Sequence, residues 1–518
     1  MAIFTPPSSP PPVISFPAPR FGQYPETVES HGYTYTVTGN TLLDPRIIRT
    51  VVQSEAGPRR VLSALLKAFH RRGYVLVAVT GRVGAKKNVH VSVVQGMVTE
   101  VHAPPGVRSF FSGVGSRENI KKSDLIRDQI LAGSYAARSG NDLRINLSPA
   151  PNPQGSTLSI DQSRKKDYFP ISGVATFGNY GSRYASGYVV GTQLMGDIGH
   201  GIQITADGTK GIPGFRRISL GSTYYQAGAG VSIVTPYGIY AFSANRTHYR
   251  LGKATYPLYP DGTVFSYDFT GTQLIFANTG TRFAVNEGVH HVQYRESVFD
   301  GYYTLLDQHY NYLSIGTTLS HGITLDGRAG TLNGGVTFNL GISPASGTLF
   351  DNVPGVPTSH FRYTVANFSY EQAMPHGTRL SVSLQGQWSP STLPSQQQWV
   401  LGGFGNLAAW EPGTIVGDSG YVGKLQFDSP TLIRFHSSGR LGLFLEDGAA
   451  SYASPSRGTP PWQSLTDAGV SLNLQLPYKF SAQVMAALPI ASRGFYGNAK
   501  HNLALNRLNA FFVIQKGF

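Results

Sequence analysis

Val470-Ser471-Leu472-Asn473-Leu474-Gln475-Leu476 alternates apolar and polar residues without a break, and this two-residue period decides the fold class. Successive side chains of an extended strand point to opposite faces, so the valine and leucines share one side and Ser471, Asn473 and Gln475 the other. The pattern recurs upstream. Leu380, Val382, Leu384 and Trp388 oppose Arg379, Ser381, Ser383, Gln385 and Gln387, and Val336, Phe338, Leu340 and Ile342 oppose Thr337, Asn339 and Ser343. From about Tyr168 to Phe518 helical periodicity disappears, leaving segments with one greasy face and one polar, mostly uncharged face.

A water-soluble sandwich alternates as well, with its apolar face inward, so periodicity alone leaves that reading open. Three features favour a membrane barrel. The apolar faces persist over roughly 350 residues, and the segments approach the roughly 9–11 residues that a tilted spanning strand needs. The third is the final strand: Leu508, Ala510, Phe512, Ile514 and Phe518 carry an apolar face to the terminus, interrupted by Lys516. Phe512, Ile514 and Phe518 are therefore expected to form the C-terminal barrel signal. No apolar run approaches a transmembrane helix; the longest candidate, Tyr74 to Val79, is far too short. A spanning chain without such helices must close into a barrel, because only helices and closed barrels satisfy every backbone polar group in hydrocarbon.

Composition agrees. The 518 residues include 61 Gly, 28 Tyr and 28 Phe, and only 14% are charged, against about 25% in an average soluble domain. Cysteine is absent, which excludes disulfides, thiolate metal sites and cysteine nucleophiles and is compatible with an oxidising periplasm.

The first 168 residues read differently. Residues 1–30 form a Pro- and Ser-rich leader whose prolines argue against a helix. Met1 to Pro19 lacks the basic start and apolar core of a secretory signal, so either a signal was removed or mis-annotated, which is the expected reading, or the protein is not exported. Tyr33 to Val37 alternates as a strand, Asp44-Pro45 caps and opens a short helix through Val52, and a second helix starts at Pro58. Val61, Leu62, Leu65, Leu66 and Phe69 form its apolar face, and Gly73 stops it after Arg71 and Arg72. Strands Val75 to Arg82 and Asn88 to Gln95 follow, giving β-α-α-β-β. A helix near Ser123 to Ala137 and strands Asp142 to Leu147 and Ser156 to Asp161 repeat the unit. The expected domains are thus a leader (1–30), two α+β units (31–103 and 104–167) and a barrel (168–518).

The segment from about residue 31 to 518 resembles the two-partner secretion transporters, the haemolysin activation/secretion (FhaC/ShlB-type) family. The β-α-α-β-β units resemble its POTRA (polypeptide-transport-associated) domains, the second closing on Leu143-Arg144-Ile145-Asn146-Leu147-Ser148-Pro149 and Gly155-Ser156-Thr157-Leu158. Asn179-Tyr180-Gly181-Ser182 with Gly187 is similar to the family's first barrel strands. The most specific match is Gln387, Leu393-Pro394-Ser395, Gln398-Trp399-Val400-Leu401-Gly402-Gly403, Leu407-Ala408-Ala409-Trp410 and Gly417-Asp418-Ser419-Gly420-Tyr421. In the family this is the sixth extracellular loop, whose Val-Arg-Gly-Tyr tip folds back into the lumen. Here Leu407, Ala408, Ala409 and Trp410 occupy the tetrad, so the arginine is missing. The family's acidic partner, in a Phe-x-Asp-x-Gly pattern, reads Phe444-Leu445-Glu446-Asp447-Gly448, with Glu446 beside Phe444 on the polar face. Either another cation serves Glu446, or Trp410 and glycine-tight packing hold the loop, or the chain works poorly.

The resemblance implies a barrel of about 16 strands that exports an unfolded partner exoprotein of haemolysin or adhesin type, with POTRA domains in the periplasm. It further implies a lipid bilayer around the barrel and assembly machinery for insertion. No cofactor, metal, enzymatic activity or nucleic-acid partner is expected, and the chain is expected to be a monomer. Other readings are a barrel-assembly factor, which should carry more POTRA domains, a passive porin, which needs none, and a soluble β-rich enzyme.

Chemistry-bearing motifs add little. Gly417-Asp418-Ser419-Gly420 also surrounds the nucleophile of chymotrypsin-like proteases, but that chemistry requires a positioned His and Asp, the chain has none of that family's cysteines, and the same residues fit the loop motif. His290-His291 has no carboxylate or third ligand at metal spacing and is expected to be an exposed strand pair. No phosphate-binding glycine loop is present, so transport is not expected to use nucleotide. Charge is uneven: between His31 and Ala103 ten basic residues face three acidic ones, half of the net +14. Arg59, Arg60, Arg71 and Arg72 are candidate passenger-docking residues, as are Leu143, Ile145 and Leu147 on a strand that could pair with an extended peptide. A merely solvated basic face is the competing reading.

Overall fold

The computed structural model describes residues 25–115, 120–150, 155–182, 184–213, 220–351, 353–434, 436–455, 458, 460–495 and 508–518. The chain divides into two compact units, one made mainly of residues up to Tyr168 and the other of the barrel. Of the expected leader, residues 1–24 lie outside the described residues.

The first small domain is a four-stranded sheet with two helices. Its strands are β1 (Glu26–Ser30), β2 (Tyr33–Thr38), β3 (Val77–Val83) and β4 (Asn88–Gln95), in the order β1-β2-β4-β3. Helices α1 (Pro45–Ser54) and α2 (Pro58–Arg71) pack on it. Asp44 caps α1 by accepting from the Arg46 N–H at 2.8 Å, and Pro45 opens it where a missing N–H costs nothing. Val61, Leu65 and Phe69, four residues apart on one face of α2, are buried with Tyr35, Val37 and Val91 in one core. Each such side chain, removed wholly from water, contributes about 1.5–3 kcal/mol. The leader boundary needs correction: β1 pairs with β2, so the sheet begins five residues before the expected start at 31.

The second small domain also starts earlier than expected. Strand β5 (Met97–His102) falls within the 31–103 expected for the first domain, and no strand is expected there from the sequence, yet it runs parallel to β7 (Gly155–Arg164). β7 in turn pairs antiparallel with β6 (Asn141–Pro149), giving the order β5-β7-β6 with helices α3 (Pro105–Arg108) and α4 (Lys122–Ala137). Partners as far apart in sequence as Met97 and Gly155 leave no local trace, which is why the boundary at 103 falls too late.

Among the described residues, sixteen long antiparallel strands close a barrel, with a three-residue pairing, Leu432–Arg434, in one of its turns. Its first strand, Ile171–Gly178, pairs with its last, Asn509–Gly517. Short turns close one end; Asp326-Gly327, both at positive φ, joins Leu325 to Arg328 as a two-residue turn of the kind that matches strand twist. Longer loops close the other end.

The burial pattern settles which face is which. Val336, Phe338, Leu340 and Ile342 are 39–50% exposed, while Asn339 between them is 5% exposed. Leu384, Trp388, Val470, Leu472 and Leu476 are exposed in the same way. The greasy faces point out and the polar faces point in, the reverse of a soluble sandwich and the arrangement a bilayer demands. No helix among the described residues is long and apolar enough to cross a membrane. At the terminus Ile514 and Phe518 are exposed on this outer face, and Phe512 packs edge-on to Phe177 across the closing seam, with ring centroids 5.6 Å apart.

Candidate functional site

The sixth loop at the long-loop end joins Arg379–Trp388 to Ser419–Asp428, the eleventh and twelfth barrel strands. Its two limbs form a small hairpin, Trp399–Leu401 against Ile415–Gly417. Beyond Leu401 the chain turns sharply through Gly402 (φ 109°) and Gly403 (φ 101°), where a side chain on Gly402 would collide with the Glu411 carbonyl. The Asn406 side chain accepts from the Gly402 N–H at 2.7 Å, and the Gly403 N–H donates to the Trp410 carbonyl at 2.9 Å, which ties the tip into a closed turn.

Leu407, Ala408 and Trp410 are fully or almost fully buried. The Ala408 methyl packs with Phe444, Met485, Ala487 and Phe511, which lie on the inner faces of later barrel strands, so the tip lies inside the lumen. Leu407, held at φ 54°, turns the next two amides toward the wall. There the Ala408 N–H donates to Glu446 Oε2 at 2.9 Å and the Ala409 N–H to Asp467 Oδ2 at 2.7 Å. The Asn509 amide donates to the Ala408 carbonyl at 3.2 Å.

The wall is built by strand alternation. On Ser437–Ser451, Leu443 and Leu445 face outward, so Phe444, Glu446 and Gly448 face inward. Glu446 lies beside Lys424 on one neighbouring strand and Asp467 on the other. Lys424 Nζ sits 2.9 Å from Glu446 Oε1 and 4.4 Å from the Phe444 ring centroid. Gly448 leaves room for the loop: a Cβ there would lie 3.1 Å from Leu407 and 3.3 Å from Leu401. Phe444, Glu446 and Gly448 thus supply a shelf for the cation, an acceptor for the loop and space for its leucines.

The Gly417-Asp418-Ser419-Gly420 segment belongs to the same lock. The Asp418 carboxylate, wholly buried at the barrel rim, accepts from the Leu393 N–H at 2.8 Å and the Ala453 N–H at 2.9 Å, joining the sixth loop to the next one. Burial pushes its carboxyl above the usual range, against the pull of those two N–H groups. Gly420 leaves the Trp399 indole its place, since a Cβ there would lie 2.1 Å from the ring. Ser419 Oγ donates to the Ser389 carbonyl, so this serine is structural in its contacts.

Sequence reasoning named Leu393 and Ser395 at the other end of the loop but missed Gln397 and the wall residues they meet. Gln397 bridges two wall tyrosines, accepting from the Tyr363 hydroxyl and donating to Tyr310 Oη at 3.1 Å, while the Ser395 N–H reaches Gln308 Oε1 at 3.1 Å. Leu393 is buried with Tyr310, Phe361 and Leu349 beside them. Lys424, Asp467 and Asn509 were also missed. Lys424 and Asp467 are charged residues within strands of a chain of which only 14% is charged, and that scarcity is the signal that could have found them.

The expected docking residues fall outside this site. Arg59, Arg60, Arg71 and Arg72 are exposed on the first small domain, with Arg71 in the last turn of α2. Leu143 and Ile145 are half-buried and Leu147 exposed on β6, an edge strand of its sheet. The expectation for His290 is corrected. It faces inward, its Nδ1 2.7 Å from Asp268 and its Nε2 2.9 Å from Ser314 Oγ, partners that come from adjacent strands rather than from local sequence. Among the described residues no three His, Cys, Asp or Glu side chains are grouped to hold a metal.

Three comparisons bear on this geometry. The family model of the haemolysin secretion/activation protein ShlB/FhaC/HecB matches residues 154–445, more than half of the chain. Over 160 residues the chain is 26% identical to the heme/hemopexin transporter protein HuxB of Haemophilus influenzae, a match spanning 30% of this chain and 28% of that relative. In fold it is similar to CdiB from Escherichia coli (TM-score 0.74, 18% identity, 99% of this chain and 93% of that one). It is also similar to CdiB from Acinetobacter baumannii (TM-score 0.66, 12% identity, 98% and 93%).

Proposed function

Because the chain belongs to the haemolysin secretion/activation (ShlB/FhaC/HecB) family of outer-membrane transporters, we propose that it secretes one partner exoprotein of haemolysin or adhesin type through its lumen. The two POTRA-like domains lie in the periplasm in this reading and meet the partner while it is unfolded. Arg59, Arg60, Arg71 and Arg72 steer it by charge, and the free edge of β6 at Leu143, Ile145 and Leu147 offers main-chain pairing that makes little sequence demand. Arrival of the partner releases the sixth loop from the wall at Glu446 and Asp467, and the chain threads outward. Folding outside opposes return, since burial of apolar surface is favourable there, and no nucleotide is needed. The barrel acts as a monomer, inserted by the barrel-assembly machinery, and carries out no catalysis.

The observation that supports this reading most is the loop tip latched inside the lumen by its own backbone, a removable plug in a wide barrel. Quantitative proteomics of medium and outer membrane, with and without the gene, tests it. Loss of one large exoprotein from the medium, with other barrels unchanged, is expected. A general fall in outer-membrane barrels would identify an assembly factor instead, and no change in either would leave a passive channel.

A further inference from the structure

We infer that Lys424, a residue of the barrel wall, supplies the positive charge that latches the sixth loop, while the loop tip meets the two wall carboxylates Glu446 and Asp467 through backbone N–H groups. The inference rests on the loop being the lumenal plug of the proposed function.

Three ionisable side chains stand in register across three adjacent strands: Lys424 opposite Glu446, and Glu446 opposite Asp467. Both carboxylates are almost wholly buried, at 2% and 0% exposure. A buried carboxylate is costly unless paired, and two side by side repel each other. Lys424 is the cation that meets them, at 2.9 Å from Glu446 and resting on the face of Phe444. Paired with that cation at 2.9 Å, the Glu446 side chain also accepts from the Ala408 N–H at 2.9 Å, and hydrogen bonds to charged acceptors are the stronger kind.

The loop side is shaped for this division. Ala408 presents its methyl to Phe444, Met485, Ala487 and Phe511, an apolar cluster, and carries no charge of its own. A charged side chain at 408 would have to enter that cluster or expel the tip. Ala408 is therefore a packed member of the latch, and Lys424 is the positioning residue that pairs with the acceptor from the wall side.

The test uses the purified full chain in planar lipid bilayers without partner, so that failure to secrete anything leaves the readout intact. Heat-modifiable gel mobility verifies that each variant is a folded barrel. Lys424→Met is expected to raise the fraction of time spent in the large-conductance state at least about tenfold, because removing one member of a buried pair strands the other. Lys424→Arg, which keeps the charge, is expected to stay near the parent, and Ala408→Arg to open the channel. A folded Lys424→Met barrel as closed as the parent would overturn the inference. So would a Lys424→Arg barrel as open as Lys424→Met, since volume rather than charge would then matter.

Discussion

Strand β4 of the first small domain and barrel strand Arg328–Gly341 carry the same alternation with opposite meaning. In β4, Val89, Val91 and Val93 are buried beneath α1 and α2 while Asn88, His90 and Ser92 meet water. In the barrel strand, Val336, Phe338 and Leu340 are exposed and Asn339 is buried. The period of a sequence tells which residues share a face; it does not tell which face is wet. That depends on what else is available to cover the apolar side. Two amphipathic helices serve the small sheet, whereas the barrel has only its own inner polar face and a surrounding solvent that must itself be apolar.

Substitutions of one kind on the two sheets separate these cases. Val91→Asp places an unpaired carboxylate in the small core and is expected to cost at least about 4 kcal/mol. Limited proteolysis should then cut within residues 26–95 while the barrel keeps its heat-modifiable mobility. Val336→Arg, on a residue half exposed, is expected to cost about 2–4 kcal/mol in a bilayer, seen as a lower folded yield. On the wet face of a soluble sheet the same change would fall within about 0.5 kcal/mol, so a neutral result breaks the comparison.

Within the barrel, the loop end offers finer tests. Gly420→Ala forces Trp399 off the wall and is expected to destabilise the loop hairpin by about 1–3 kcal/mol, read as faster proteolysis within 389–418. The smallest effect concerns the loop after Gly341. His360 beside Asp351, with the Thr358 and Ser359 hydroxyls, holds the Asp351 carboxyl down to about 2. A depressed carboxyl stabilises above its ordinary value of 3.8 and loses that contribution as pH falls toward the folded value. Hydrogen exchange in 342–361 should therefore stay slow at pH 5 and quicken between about pH 4 and pH 2.

The barrel was legible because its signal is local: Val470 to Leu476 displays its period in seven residues, and α2 announces its buried face through Val61, Leu65 and Phe69. Strand β5 was misplaced because its partner β7 lies some 60 residues downstream, and pairing over that distance leaves no periodic mark. At the site, motif spacing singled out Ala408 and Glu446 but not what joins them. The contact runs through a main-chain N–H, which every residue but proline possesses, and through Lys424, which comes from another strand. Side chains can be read from sequence; which backbone group they meet is decided by tertiary placement.

The chain has no cysteine, so single cysteines introduced along Arg328–Gly341 report on one position each. In native outer membranes, labels at Val336, Phe338 and Leu340 are expected to be quenched by lipid-phase quenchers and to stay inaccessible to water-soluble ones. A label at Thr337 should show the reverse. Quenching from the aqueous phase at 336, 338 and 340, with lipid-phase quenching at 337 or nowhere, would contradict the outward apolar face and the membrane barrel built on it.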